Sequence, residues 1–141
     1  MTVLLRNIAA CFTGVILGGG VNMMLVMVGP SVIPPPPGVD VTDAEAIRNS
    51  IDLFEARHFL FPFLAHSIGT LVGALVAYLV AASHKNRFAL VIGALFLLGG
   101  IAASSMIPAP AWFIVLDLVA AYIPMAWLGG RLGERLSGPR S

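Results

Sequence analysis

Four long apolar stretches, separated by short polar or proline-rich joints, fill most of the 141-residue chain. Each approaches the ~20 residues that a helix needs to cross the hydrocarbon core of a bilayer. Main-chain amides find no water in lipid, so a spanning segment has to satisfy its own hydrogen bonds, and a helix does this. The expected spans are residues 8–28, 60–82, 88–106 and 111–132, with an outer segment over 29–59. Composition agrees: 58% of residues are hydrophobic and 11% are charged, against roughly 25% charged in ordinary soluble domains. So few charges cannot cover a water-facing surface, and lipid has to cover it instead. The expected fold is an all-α integral membrane protein, a single domain over 1–141. Its four transmembrane helices run up-down-up-down as a bundle, with a short amphipathic helix outside.

The formal net charge of +1, with no basic run, argues against nucleic acid as a partner. Cys11 is the single cysteine, so no internal disulfide framework exists, and it reads as a small buried hydrophobe. Met1 to Arg6 followed by an apolar run has the look of a secretory leader. The run from Ile8 to Val28 exceeds a usual leader core, so an uncleaved first span is expected.

Charge sets the expected orientation. Arg6, Lys85, Arg87, Arg131, Arg135 and Arg140 fall on one side of the membrane, Arg48 and Arg57 on the other. The positive-inside rule therefore puts both termini and the 83–87 turn in the cytoplasm, and the 29–59 segment outside. Trp112 and Trp127, about 22 Å apart along a helix, fit an aromatic belt at each interface.

The outer segment opens with Pro34 to Pro37, a polyproline II strut that Gly38 ends. Thr42-Asp43-Ala44-Glu45 follows as a capping-box pattern, and then Ile47, Ile51, Phe54 and His58 recur at helical spacing. An amphipathic helix along the membrane surface is expected there. Its acids, Asp40, Asp43, Glu45, Asp52 and Glu55, outnumber its two arginines.

Association in lipid relies on close backbone approach, so small residues at helical spacing mark packing faces. Such faces are Cys11, Gly14, Gly18 and Asn22 on the first span, and His66, Gly69, Thr70, Gly73, Ala77 and Ala81 on the second. The third carries Ala89, Gly93, Gly100 and Ser104, and the fourth Asp117, Ala121 and Pro124. Pro124 leaves the carbonyl of Ala120 without a partner, which predicts a kink. The GxxxG pairs Gly14/Gly18, Gly69/Gly73 and Gly129/Gly133 read as packing rather than as a dimer signature.

Asn22, His66 and Asp117 each lie about 9 Å below the outer interface, at six residues of helical rise, and Ser104 approaches the same level from the third span. An Asp at a helix centre costs about 2.5 to 3.5 kcal/mol on insertion scales, so it should turn inward and find a donor. His66 is the expected partner, with Asn22 bridging. Two readings stay open: an interhelical clasp that fixes register, or a proton or ligand site open to the outside.

A metal site would draw on Glu55, His58 and His66, three and eight residues apart, although no HExxH or CxxC accompanies them. Met23 and Met27 have the spacing of a soft copper path, and also of ordinary packing. His84, beside Lys85 and Arg87, reads as a lipid-headgroup contact.

Several pieces resemble a group of small bacterial four-helix membrane proteins without an established activity. They are Pro34-Pro35-Pro36-Pro37-Gly38 with Asp40; Leu64-Ala65-His66 with Gly69 and Gly73; Met106-Ile107-Pro108 with Trp112-Phe113 and Asp117-Leu118; and Ala126-Trp127-Leu128-Gly129-Gly130-Arg131. The resemblance implies a bacterial inner membrane. The function expected first is a non-enzymatic accessory or assembly subunit, without a cofactor, whose partners are lipid and either other membrane subunits or copies of itself. The alternative is a small oligomeric transporter or channel in which Asp117, His66 and Asn22 hold an ion or polar solute. A membrane enzyme using Glu55, His58 and His66 comes third.

Overall fold

The computed structural model describes residues 1–138 and is all-α among them; Arg140, counted above with the charges of the tail, lies outside the described residues. Helix α1 covers Val3–Val32, α2 Ala44–Asn49, α3 Leu60–Val80, α4 Lys85–Met106, α5 Ala111–Ala120 and α6 Ile123–Leu136. Four stretches are long and apolar enough to cross a membrane: Val3–Val32, Ala56–Val80, Lys85–Met106 and Ala111–Leu136.

Helix α1 begins at Thr2, whose hydroxyl accepts the Leu5 N–H at 3.3 Å, and it continues through Pro30, beyond the expected end at Val28. Proline costs a helix the bond to the carbonyl four residues back. In the final turn that loss is small, and the Ile33 N–H closes on the Gly29 carbonyl at 2.8 Å.

The segment after α1 departs from the single amphipathic helix expected there. Pro36 and Val39 close a turn at 3.2 Å around Pro37 and Gly38, where Gly38 takes φ +82°. That left-handed value is open to glycine at no steric cost. Asp40 then captures the hydroxyl and N–H of Thr42 at 2.6 and 2.8 Å, which removes Thr42 from the capping box. Asp43 caps α2 instead, accepting the Glu45 N–H at 2.9 Å. The helix stops after six residues, and two short 3-10 turns, Ile51–Leu53 and Ala56–Phe59, complete the segment. Breaking the helix lets Ile47, Phe54 and Phe59 all turn onto one cavity instead of lying in a stripe.

Helix α3 is the hub, packing against α1, α4 and α6. Its contacts depend on missing side chains. A Cβ on Gly14 would stand 2.8 Å from the Gly73 carbonyl oxygen, and one on Gly73 would stand 2.7 Å from that of Gly14. On the opposite face Gly129 lies against the Leu71 carbonyl and Gly133 against the ring of Tyr78. All three GxxxG pairs thus pack inside this chain. Ala74, Ala77, Tyr78, Ala89, Ile92 and Ala126 form the centre of the core. Large apolar side chains such as Phe12, Leu98 and Val119 point outward, as expected where no hydrophobic force drives helices together and close approach has to do so.

The last spanning stretch is broken. Helix α5 ends at Ala120, Ala121 and Tyr122 leave the helical path, and α6 restarts with Pro124 in its first turn. The pyrrolidine ring would meet the carbonyl of Ala120 in a continuous helix, so the chain turns there. Proline is well placed in a first turn, where its missing N–H needs no partner.

Candidate functional site

The break in the fourth stretch builds the site. On a straight helix residues 117 and 122 would point about 140° apart, at 100° per residue. The irregular backbone at Ala121 and Tyr122 brings the two side chains together, and the Tyr122 hydroxyl donates to Asp117 Oδ2 at 3.0 Å. From α3, His66 Nδ1 lies 2.9 and 2.8 Å from the two carboxylate oxygens. The imidazole also stacks on the Tyr122 ring, with centroids 5.6 Å apart and planes 28° apart.

Small residues make room for this group. A Cβ on Gly100 of α4 would collide with the Tyr122 hydroxyl, so glycine there lets the phenol lie between helices. Asp117 is 5% exposed, yet it meets two donors from separate elements. His66 engages the carboxylate through Nδ1 alone, and its side chain is 26% exposed.

Asp117 and His66 lie at the floor of a cavity of about 290 Å³ at the end of the helices that carries residues 33–59. Val26 of α1, Ile33 just after it, Phe61 of α3, Ile107 after α4 and Phe113 and Ile114 of α5 form its walls. Val41, Ile47, Phe54 and His58 of the broken segment close over it. Phe59 holds this cover in place, its ring 4.9 Å from that of Phe113 and 5.6 Å from that of Trp112. Pockets that take small molecules share this character, apolar walls with a few placed polar groups.

The other residues singled out from sequence fall elsewhere. Asn22 does not bridge His66 and Asp117. It packs on Gly69, where a glycine Cβ would stand 2.9 Å from the Asn22 Cβ, and its Oδ1 is buried without a hydrogen-bond partner. Gly69 lies about 60° round α3 from His66, so Asn22 meets the wrong face. Ser104 lines the cavity, with its hydroxyl donated to the Ile101 carbonyl of its own helix at 2.8 Å.

Glu55, His58 and His66 do not converge either. Glu55 pairs with Arg57 at 3.2 Å, while His58 Nδ1 accepts the Glu55 N–H at 2.8 Å and so belongs to the turn. Among the described residues no group of three or more His, Cys, Asp or Glu side chains is placed to hold a metal ion. Met23 and Met27 are both exposed on the outer face of α1.

Asn7 was not singled out from the sequence. Its Oδ1 accepts the Ala82 and Ser83 N–H groups at 2.9 and 3.3 Å, its Nδ2 donates to Ser83 Oγ at 2.9 Å, and neighbouring Arg6 donates to the Val80 carbonyl at 2.7 Å. Together they tie the start of α1 to the end of α3. A polar pair entering an apolar run, opposite a turn after a second run, is the available signal.

No family model, curated protein or solved structure matches the chain. The fold and the site therefore define the class reached here: an all-α protein with four stretches fit to cross a membrane.

Proposed function

We propose that this chain is a small, non-enzymatic solute-handling protein of a bacterial cytoplasmic membrane, a transporter or channel acting as an oligomer. In this reading its helices alternate in direction as a four-helix bundle, both termini lie in the cytoplasm, and residues 33–59 cap the outer side. The distribution of lysine and arginine supports that orientation. One observation carries the functional reading: Asp117, held by His66 and Tyr122, forms the polar floor of a cavity with mostly apolar walls. Ionisable groups at membrane depth mark solute and proton paths. Proteoliposomes containing the chain should dissipate an imposed proton or ion gradient faster than empty liposomes, and Asp117→Asn should remove the difference. Absence of any flux from the wild type over empty liposomes sinks the transport reading.

A second reading, an accessory or assembly subunit of a larger membrane complex, draws on α1. That helix has 11% of its apolar window buried, and Phe12, Ile16, Met23 and Met27 all point outward. Such a face suits a partner helix as well as lipid. Native mass spectrometry from mild detergent should then find a larger partner, and an isolated monomer at native expression excludes it.

A further inference from the structure

The cavity carries a charge asymmetry that points to its occupant. Asp117 is its one acidic side chain, and among the described residues no lysine or arginine lines it. Its partners, His66 and Tyr122, hold the carboxylate at hydrogen-bond distance. Phe54, Phe59, Phe61 and Phe113 stand round the same space. Aromatic faces attract an ammonium through the ring quadrupole, most strongly where water is excluded. The cover repeats the sign: Asp40, Asp43, Glu45, Asp52 and Glu55 face two arginines, of which Arg57 is already paired with Glu55. An acidic segment of this kind raises the local concentration of cations and repels anions.

Resting on the reading of this cavity as a solute site, we infer that its ligand is a small organic ammonium with an apolar body. The ammonium lies at the Asp117–His66 floor beside the carboxylate, and the body packs among the phenylalanines. Size agrees, because about 290 Å³ admits a phenylalkyl amine and excludes a phospholipid.

Three probes of nearly one shape separate charge from fit: 2-phenylethylammonium, 2-phenylethanol and phenylacetate. Their affinities for the full chain in nanodiscs are measured from the shift of the Trp112 indole N–H resonance, with empty nanodiscs correcting for partition. The expected order is the ammonium at least ten-fold tighter than the alcohol, with the acid weakest. In Asp117→Asn the ammonium should fall to the level of the alcohol, while the alcohol is little changed. The wild-type order tests the inference even where that variant does not fold. Alcohol or acid binding as tightly as the ammonium overturns the inference and leaves a solute site of another selectivity. Failure of all three to bind overturns the inference as well, while the proteoliposome flux decides the proposed function separately.

Discussion

Gly18 and Gly69 stand against each other's main chain: a Cβ on Gly18 would lie 2.6 Å from the Gly69 carbonyl oxygen, and one on Gly69 would lie 2.8 Å from that of Gly18. Both contacts are with backbone, which cannot rotate aside as a side chain would. The interface of α1 with α3 therefore depends on the absence of a methyl group at each position. Lipid tails are as apolar as the helices, so this close approach and its dispersion energy replace the hydrophobic force that would act in water.

Replacing Gly18 with alanine should force the two helices apart and destabilise the fold by about 1–3 kcal/mol, the usual range for overpacking. Gly19→Ala is the matched control, since nothing lies within 4 Å of its Cβ position. There alanine should be neutral or stabilising, by up to ~1 kcal/mol of helix propensity. Reversible unfolding in mixed micelles compares the two. Equal stabilities for both variants would remove the close-packing account of this interface.

The Asp117, His66 and Tyr122 side chains act as a unit, so their energies should not add. Tyr122→Phe deletes the hydrogen bond from the break to α5 and should cost roughly 0.6–2 kcal/mol, as polar contacts between membrane helices do. Asp117→Asn weakens both acceptor contacts at once, and in that background Tyr122→Phe should cost markedly less. A double-mutant cycle on unfolding should return a coupling of about 0.5–2 kcal/mol between the two positions. Strict additivity would show that the 3.0 Å contact carries no energy.

Much of this architecture is legible in the sequence because its causes are local. A run of Ile, Val, Leu and Ala around Asp117 states at once that the segment lies in lipid and that its carboxylate needs a donor. His66 is the strongest titratable candidate at that depth, and the two do meet. Pro124 announces the break after Ala120 through the hydrogen bond it cannot make. Depth, however, does not fix direction round a helix. Asn22 has the right height and the face of Gly69, while His66 looks elsewhere along α3. The cover departs from its pattern too: Ile47, Ile51, Phe54 and His58 fit a helical repeat, yet the helix ends before Ser50, and Ile47, Phe54 and His58 line the cavity while Ile51 does not. Tyr122 joined the site through that same break at Pro124, which periodicity along an unbroken helix could not place beside Asp117.

The cover has its own pH signature. The Thr42 hydroxyl, and then the Thr42 N–H, donate to Asp40 and hold its carboxyl below the ordinary aspartate value. A depressed value means that the ionised form is favoured in the folded turn. Its contribution is complete above the unfolded value near ~3.9 and is lost as pH falls through the folded one. Thr42→Val keeps the main-chain donor but removes the hydroxyl, so the Asp40 carboxyl resonance should titrate at higher pH than in the wild type, whereas Thr42→Ser should leave it low. An unmoved titration in the valine variant would exclude the 2.6 Å hydroxyl contact as its cause.

At the opposite end, the chain solves a general problem of helix termini. The turn between α3 and α4 leaves half-buried N–H groups at Ala82 and Ser83 that no helix satisfies. Asn7 supplies one oxygen to both, and its amide nitrogen holds the Ser83 hydroxyl. Asn7→Ala therefore strands main-chain donors as well as losing side-chain bonds, and each stranded buried group costs about 1–3 kcal/mol. Ser83→Ala removes a single acceptor and should cost less than half as much. Asn7→Asp retains the oxygen for both N–H groups and should recover most of the loss. The order of unfolding midpoints, wild type above Asn7→Asp above Asn7→Ala, checks this. Asn7→Ala as stable as Ser83→Ala would mean that the turn finds its partners without the asparagine.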